Sequence, residues 1–445
     1  MESYGNGPST GLDQTALGKI QTGFTPGDVF IASGDRPVLR QLAERVAEIA
    51  DSDRMKEVRR HWLEVNALKK TKPIFFCDPE NGWNEIITEA QMKCQGKLAR
   101  RWEMDLRKEI FWGEEMRDEK PVEPFFDVPI TVSDDDWGAA PVYRRTEALG
   151  SQVWDPPIKN YGTDLKNLHS PRFEIDWETT NGCLELAREI FGSDTSGQTG
   201  ILTARLKGIW WWSLGVTLPA VLFRGVGNLL YDLSDHPDGL KELLRIISQG
   251  HLDKLDYLER NHLLSLNSDG TYVGSGGYGF TQELPQPDFS GQVRAADMWG
   301  FTESQETVHV SPDMYEEFIF PHEKPIMERF GFTCYGCCEP LHARWHVVKR
   351  HHNLRRVSCS PWANLEKMAD FVQNRYVLSM KPNPAAIAAP VIDEVRIRRD
   401  LRDALEMTRG CVVEIIMKDN HTIGQKPENV VTWCRIAQEE AERIS

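Results

Sequence analysis

Apolar positions recur along this chain with two different periods, and the change from one to the other predicts its architecture. In residues 38–69 they fall three and four apart, at Leu39, Leu42, Val46 and Ile49 and again at Val58, Trp62 and Val65. That spacing predicts two helices, broken at Asp51-Ser52-Asp53. The run Ile74-Phe75-Phe76-Cys77, ending in Asp78-Pro79-Glu80-Asn81-Gly82, predicts a first strand and its loop. Residues 89–115 read as a charged amphipathic helix, 121–132 as extended and proline-punctuated, and 178–191 as a helix. Between them, residues 133–172 are rich in Asp, Gly and Pro and read as a long irregular insertion of the kind that serves as a lid.

From Thr203 onward short apolar runs alternate with loops and helices. Strands are expected at 206–214 (with Trp210-Trp211-Trp212), 263–266, 295–300, 332–335, 355–359, 376–380 and 411–417. Helical stretches are expected at 224–250 and 313–330, from Leu341, and from Pro427 to the end. Repeated strand, loop and helix units predict a parallel sheet. The expected fold class is α/β, a (β/α)8 TIM barrel with an N-terminal helical extension: residues 1–70 form a leader and that extension, and 71–445 the barrel, with the insertion around 133–172.

Composition narrows the partners. The chain has 52 basic and 67 acidic residues, a net charge of −15, which opposes a nucleic-acid or anionic membrane surface. The longest apolar run, 208–223, is broken by Ser213, Thr217 and Pro219 and is too short to span a bilayer. The first 25 residues lack the basic start and apolar run of a signal peptide, so a cytoplasmic protein is expected. Nine cysteines, an odd number without paired spacing, favour reduced thiols.

The chemistry concentrates in Cys334-Tyr335-Gly336-Cys337-Cys338-Glu339-Pro340-Leu341-His342. Thiolate, carboxylate and imidazole are the ligands that zinc selects, although buried cysteines also serve simply as small hydrophobes. Strand-end loops of a barrel face one mouth. That mouth would collect Cys337, Cys338, Glu303, Lys381, Asp419 and His421 as reactive or metal-binding groups. Trp299, Gln305, Tyr335, Glu339, Trp362 and Asn383 would contact substrate. The glycine run 274–279 lacks the spacing of a phosphate loop and reads as backbone approaching a ligand closely. Asp419-Asn420-His421-Thr422-Ile423-Gly424 matches the Asp-x-His-x-x-Gly of cobalamin-binding domains, but the stretch after Gly424 is too short for the nucleotide-binding unit that follows it there. Asp419 and His421 are instead expected at the mouth.

Two segments resemble the uroporphyrinogen decarboxylase superfamily and its cobalamin-dependent methyltransferase branch. They are Phe223-Arg224-Gly225 with Asp232 and His236-Pro237, and the order of elements from Trp299 to Pro384. The resemblance covers roughly the chain from Leu206 onward. It implies a (β/α)8 barrel, a zinc ion at the mouth, a separate corrinoid protein presenting cobalamin, and a homodimer. Cys337 stands where that branch carries the cysteine of its His-x-Cys-Gly, Tyr335 stands in place of the histidine and Cys338 in place of the glycine, and Asp419 or His421 stands near its second cysteine. The expected function is methyl transfer between a small methylated donor or acceptor and the cobalt of a corrinoid protein, with metal ligands drawn from Cys337, Cys338, Asp419 and His421. The alternative is a decarboxylase or other lyase binding a carboxylate through Lys381 and Arg224. A third possibility is a corrinoid-binding protein without activity.

Overall fold

The computed structural model describes residues 24–145, 152–192, 200–210 and 213–444, together with two short strands, Asp13–Gln14 and Ile20–Gln21. Most of the leader, and Trp211 and Trp212 of the expected tryptophan strand, lie outside the described residues. Helices Arg36–Asp51 and Asp53–Asn66 form where the 3.6-residue spacing places them. They break at Ser52, whose side-chain oxygen caps the second helix by accepting from the Met55 amide.

Eight strands carry the rest: β1 Ile74–Cys77, β2 Phe125–Pro129, β3 Thr203–Lys207, β4 Trp299–Thr302, β5 Phe332–Tyr335, β6 Leu354–Cys359, β7 Val377–Met380 and β8 Val412–Met417. Six of them form one all-parallel sheet in the order β4-β5-β6-β7-β8-β1. β2 and β3 form a separate parallel pair. The strand expected at 263–266 is reduced to a single parallel bridge between Leu264 and Ile209. The fold is therefore α/β, and among the described residues the hydrogen-bonded ladder does not close into a barrel. The insertion at 133–172 is not irregular. Val132–Asp134 pairs with Phe173–Ile175 and Val142–Arg145 with Gln152–Asp155, both antiparallel.

Alternation along the strands gives the sheet two distinct faces. The cross-strand partners Cys334, Arg356, Ser358, Ser379 and Glu414 share one face, while Tyr335, Val357 and Cys359 point to the other. A hairpin, closed by an antiparallel bridge between Tyr272 and Tyr278, lies against the first face. Gly274, Gly276 and Gly277 all have positive φ. A Cβ on them would come within 2.8 Å of Cys334 Cβ, 2.8 Å of Ile416 Cγ2 and 2.7 Å of Glu414 Oε2 respectively. The glycine run therefore lets backbone approach the protein's own sheet rather than a ligand.

Beneath this hairpin a buried ion pair joins β6 to β8, Arg356 Nε to Glu414 Oε2 at 3.0 Å. Arg356 Nη2 also donates to Asn66 Oδ1 (2.7 Å) and to the Tyr278 carbonyl (3.3 Å). Asn66, the last residue of helix Asp53–Asn66, donates to the Tyr278 and Phe280 carbonyls at 2.8 and 2.9 Å. The helical extension, the hairpin and the sheet are thus tied together at one polar knot. The guanidinium is met on every nitrogen, its Nη1 by Cys334 Sγ at 3.6 Å, while Glu414 Oε1 is left without a hydrogen-bond partner.

Candidate active site at the strand ends

The alternation that puts Arg356 and Glu414 under the hairpin continues past the strand ends and aims particular side chains to the same side. Beyond Phe301 comes Glu303, beyond Ser379 Lys381, beyond Ile416 Lys418, and beyond Phe76 Asp78. All four are buried. In parallel α/β sheets this carboxyl-terminal edge is where loops gather ligand-binding groups.

Cys337 and Cys338 follow β5 in a turn opened by Gly336, whose φ is +92°. The turn is held by Glu339, which is 1% exposed. Its Oε2 accepts from the Cys337 amide at 2.9 Å and its Oε1 from the Ser304 amide at 3.0 Å. Ser358 Oγ adds a bond to the Cys337 carbonyl at 3.0 Å. Glu339 is thus occupied by backbone from β4 and β5, and its role is to position the thiols. The sulfurs lie 3.7 Å apart, and Cys338 Sγ is 3.9 Å from Asp419 Oδ2.

Lys418 sits at the centre of this group. Its Nζ is 2.7 Å from Asp419 Oδ1 and 4.0 Å from Glu80 Oε1. Burial disfavours its ammonium, but the acidic groups around it, the Asp419 and Glu80 carboxyls among them, outweigh burial and raise it above its ordinary value. The thiols diverge. The hydrogen bond between them raises Cys337, which keeps its proton, and lowers Cys338, which accepts that bond; Lys418 favours the Cys338 thiolate as well. Glu80 and Asp419 both hold left-handed backbone, at φ +47° and +62°, a strain concentrated where two carboxylates face one lysine.

On the other side of the thiols, burial pushes Glu303 well above the ordinary carboxylate range, helped by Glu306 and Glu339. Glu303 Oε2 accepts from the Gln305 amide at 2.9 Å, and its Oε1 lies 3.4 Å from Ser213 Oγ. Burial likewise pushes Glu80 up to about 7 and the Lys381 amine down to about 8. Lys381 Nζ bonds to Ser379 Oγ. The rim thus offers a thiol shifted toward its thiolate, a carboxyl shifted toward its acid form, a fixed ammonium and an amine lowered to about 8.

Several expected site residues lie elsewhere. Tyr335 points to the helix side, where its hydroxyl meets Ser304 Oγ (3.0 Å), Tyr315 (2.9 Å) and Glu323 (3.3 Å). Odd and even residues of a strand face opposite ways, so it cannot share the side of Cys334. Trp299 opens β4 at its far end, 3% exposed, with its indole N–H on the Gly279 carbonyl at 2.9 Å. His421 is exposed, 3.5 Å from Asn81 Nδ2. Trp362 is 70% exposed, and Asn383 caps a short turn through Ala385 N. Arg224, assigned to a substrate carboxylate in the lyase reading, is committed to Asp232 (Nε to Oδ2 2.6 Å) and to the Lys159 carbonyl. Lys418 belongs to no motif, and alternation from Glu414 and Ile416 is the signal in the sequence that places it on the rim.

These features define an α/β protein with a charged, thiol-bearing site at the ends of a parallel sheet. The chain matches no protein-family model, and no curated protein sequence matches it. Among solved structures, a methyltransferase from Methanosarcina mazei is similar, with 11% identity and a TM-score of 0.49 over 86% of this chain and 98% of that one. A likeness that loose carries no functional weight, and the reading below rests on this chain's own residues. Among the described residues no helix is long and apolar enough to cross a membrane.

Proposed function

We propose that this chain is a methyltransferase that moves a methyl group between a small methylated compound and the cobalt of a corrinoid carried by a separate protein. In this reading the six-stranded sheet and the β2–β3 pair are arcs of one (β/α)8 barrel, and the rim described above is its mouth. The observation that carries the reading is the Cys337-Cys338 pair at the end of β5, where the resembled methyltransferases carry their cysteine, set between Lys418 and Glu303, whose carboxyl burial shifts toward its acid form.

Zinc does not fit this rim as it stands. Among the described residues no three His, Cys, Asp or Glu side chains form a ligand group. Tyr335 faces away, His421 stands at the surface, and Lys418 already binds the Asp419 carboxylate. No step is therefore routed through a metal on this chain. The corrinoid supplies a cobalt able to give or take the methyl group. This chain's residues bind, orient and move protons. Glu303 donates a proton to the heteroatom that loses the methyl group and recovers it in the reverse direction, a role worth about 10²–10⁴-fold in rate. The Cys338 thiolate and Lys418 fix the polar end of the substrate.

The test supplies free cob(I)alamin in place of the corrinoid protein, with a panel of methylated amines, thioethers and aryl methyl ethers, and follows loss of the reduced corrinoid's absorbance. Turnover by the wild type, falling about 10²-fold or more in Glu303→Gln and Cys338→Ala, is expected. No transfer with any donor, in either direction, would overturn the proposal. The lyase reading keeps one observation in its favour, the buried amine of Lys381. It predicts release of carbon dioxide from a carboxylated substrate with no corrinoid present.

A further inference from the structure

A second cavity lies behind the rim, on the helix side of the sheet. It measures about 430 Å³ and is bounded by Met380 of β7, Ile415 of β8, Ile397 and Leu401 of helix Glu394–Met407, and Trp433 of helix Glu428–Ile444. The segment after β7 forms part of its wall, and Val391 on that segment is 83% exposed, so the cavity opens to solvent there. Helix-to-sheet seams are normally packed to crystal-like density, with few voids larger than a water molecule. This one has the volume of a small-molecule site, about 300–1,000 Å³.

The polar groups in its wall define what it would take. Asp393 caps the Arg396 amide at 2.9 Å, Arg396 pairs with Asp400 at 3.5 Å, Asn383 caps the Ala385 amide at 3.0 Å, and Lys381 is bonded to Ser379. Two cations and two carboxylates cancel, so the wall presents no net charge.

We infer that this cavity is a binding site for a neutral, largely apolar small molecule, of aromatic or alicyclic body. The inference is independent of the methyltransferase reading, because the cavity lies on the opposite face of the sheet from the thiols. Lys381 borders both, so occupancy would also be felt at the rim.

The test titrates N-phenyl-1-naphthylamine, a neutral apolar amine that fluoresces when removed from water, into the full chain. Saturable binding of one probe per chain is expected. Ala404→Phe and Ala386→Phe each place a ring in the cavity and should weaken binding about tenfold or more. Circular dichroism and thermal unfolding identify which filling variant folds, and either one suffices. No saturable binding, or binding unchanged in a folded filling variant, would overturn the inference.

Discussion

Gly277→Ala tests the hairpin against the sheet. Gly277 has a φ of +99°, and a Cβ there would lie 2.7 Å from Glu414 Oε2 and 2.8 Å from Arg356 Cζ. Neither neighbour can give way cheaply, since Arg356 is 2% exposed and Glu414 0%. The strained backbone costs about 1–3 kcal/mol, and overpacking adds about 1–3 kcal/mol. Their sum, about 2–6 kcal/mol, is a large share of the roughly 5–15 kcal/mol by which folded proteins are stable. The control is Gly227→Ala, near the start of helix Val226–Asp235, where nothing lies within 4 Å of an added Cβ. It should be neutral or slightly stabilising, by about 0.5–1 kcal/mol. Urea unfolding of both variants beside the wild type, followed by tryptophan fluorescence, reads the difference. An unfolding midpoint for Gly277→Ala equal to that of Gly227→Ala would refute the packing of the hairpin on the ion pair.

Removing one partner of that pair, in Arg356→Met, should destabilise by about 3–5 kcal/mol, and adding Glu414→Leu should recover much of the loss, in a double-mutant cycle. Tyr335→Phe should lower stability by about 1 kcal/mol through its lost hydrogen bonds yet leave methyl transfer unchanged in the corrinoid assay; a large loss of activity would return Tyr335 to the site. Stability should also depend on Asp118, whose carboxyl burial pushes from 3.8 up to about 7. A raised acid stabilises fully below its unfolded value and loses that contribution as pH rises through its folded one. Unfolding free energy should therefore fall between about pH 4 and 7, by up to about 4 kcal/mol at roughly 1.4 kcal/mol per pH step. Asp118→Asn should flatten that slope in urea titrations at stepped pH.

Helices and strands were legible wherever a period ran long enough. Helices Arg36–Asp51 and Asp53–Asn66 and strands β5 to β8 appear within a few residues of the positions their spacing predicts. The faces were legible too, but only by carrying the alternation through: it separates Tyr335 from Cys334 and brings Lys418 to the rim behind Glu414 and Ile416. Matching Tyr335 to a family position by order along the chain overrode that signal. The glycine run misled for a different reason. Glycine permits close approach without naming what approaches, and only the structure shows Cys334, Glu414 and Ile416 opposite it. The tie of Glu339 to two backbone amides, and the pairing inside the insertion, are tertiary outcomes with no local signature. His421 is expected at the mouth because it follows a strand end, but the turn after β8 carries it outward to the surface beside Asn81.

The central claim is that Cys338 belongs to a built reactive centre rather than to packing. Among the nine free cysteines, Cys337, Cys338 and Cys411 are partly exposed and the others are buried. Burial raises Cys411 to about 11, whereas Cys338 is lowered. The most direct measurement is the rate of iodoacetamide alkylation at each cysteine at pH 7, resolved by peptide mass spectrometry, in wild type, Lys418→Met and Asp419→Asn. The account predicts that Cys338 reacts first, that Lys418→Met slows it by removing the favouring charge, and that Asp419→Asn speeds it by removing the opposing one. Alkylation of Cys338 no faster than Cys411, or unmoved by either substitution, would contradict it.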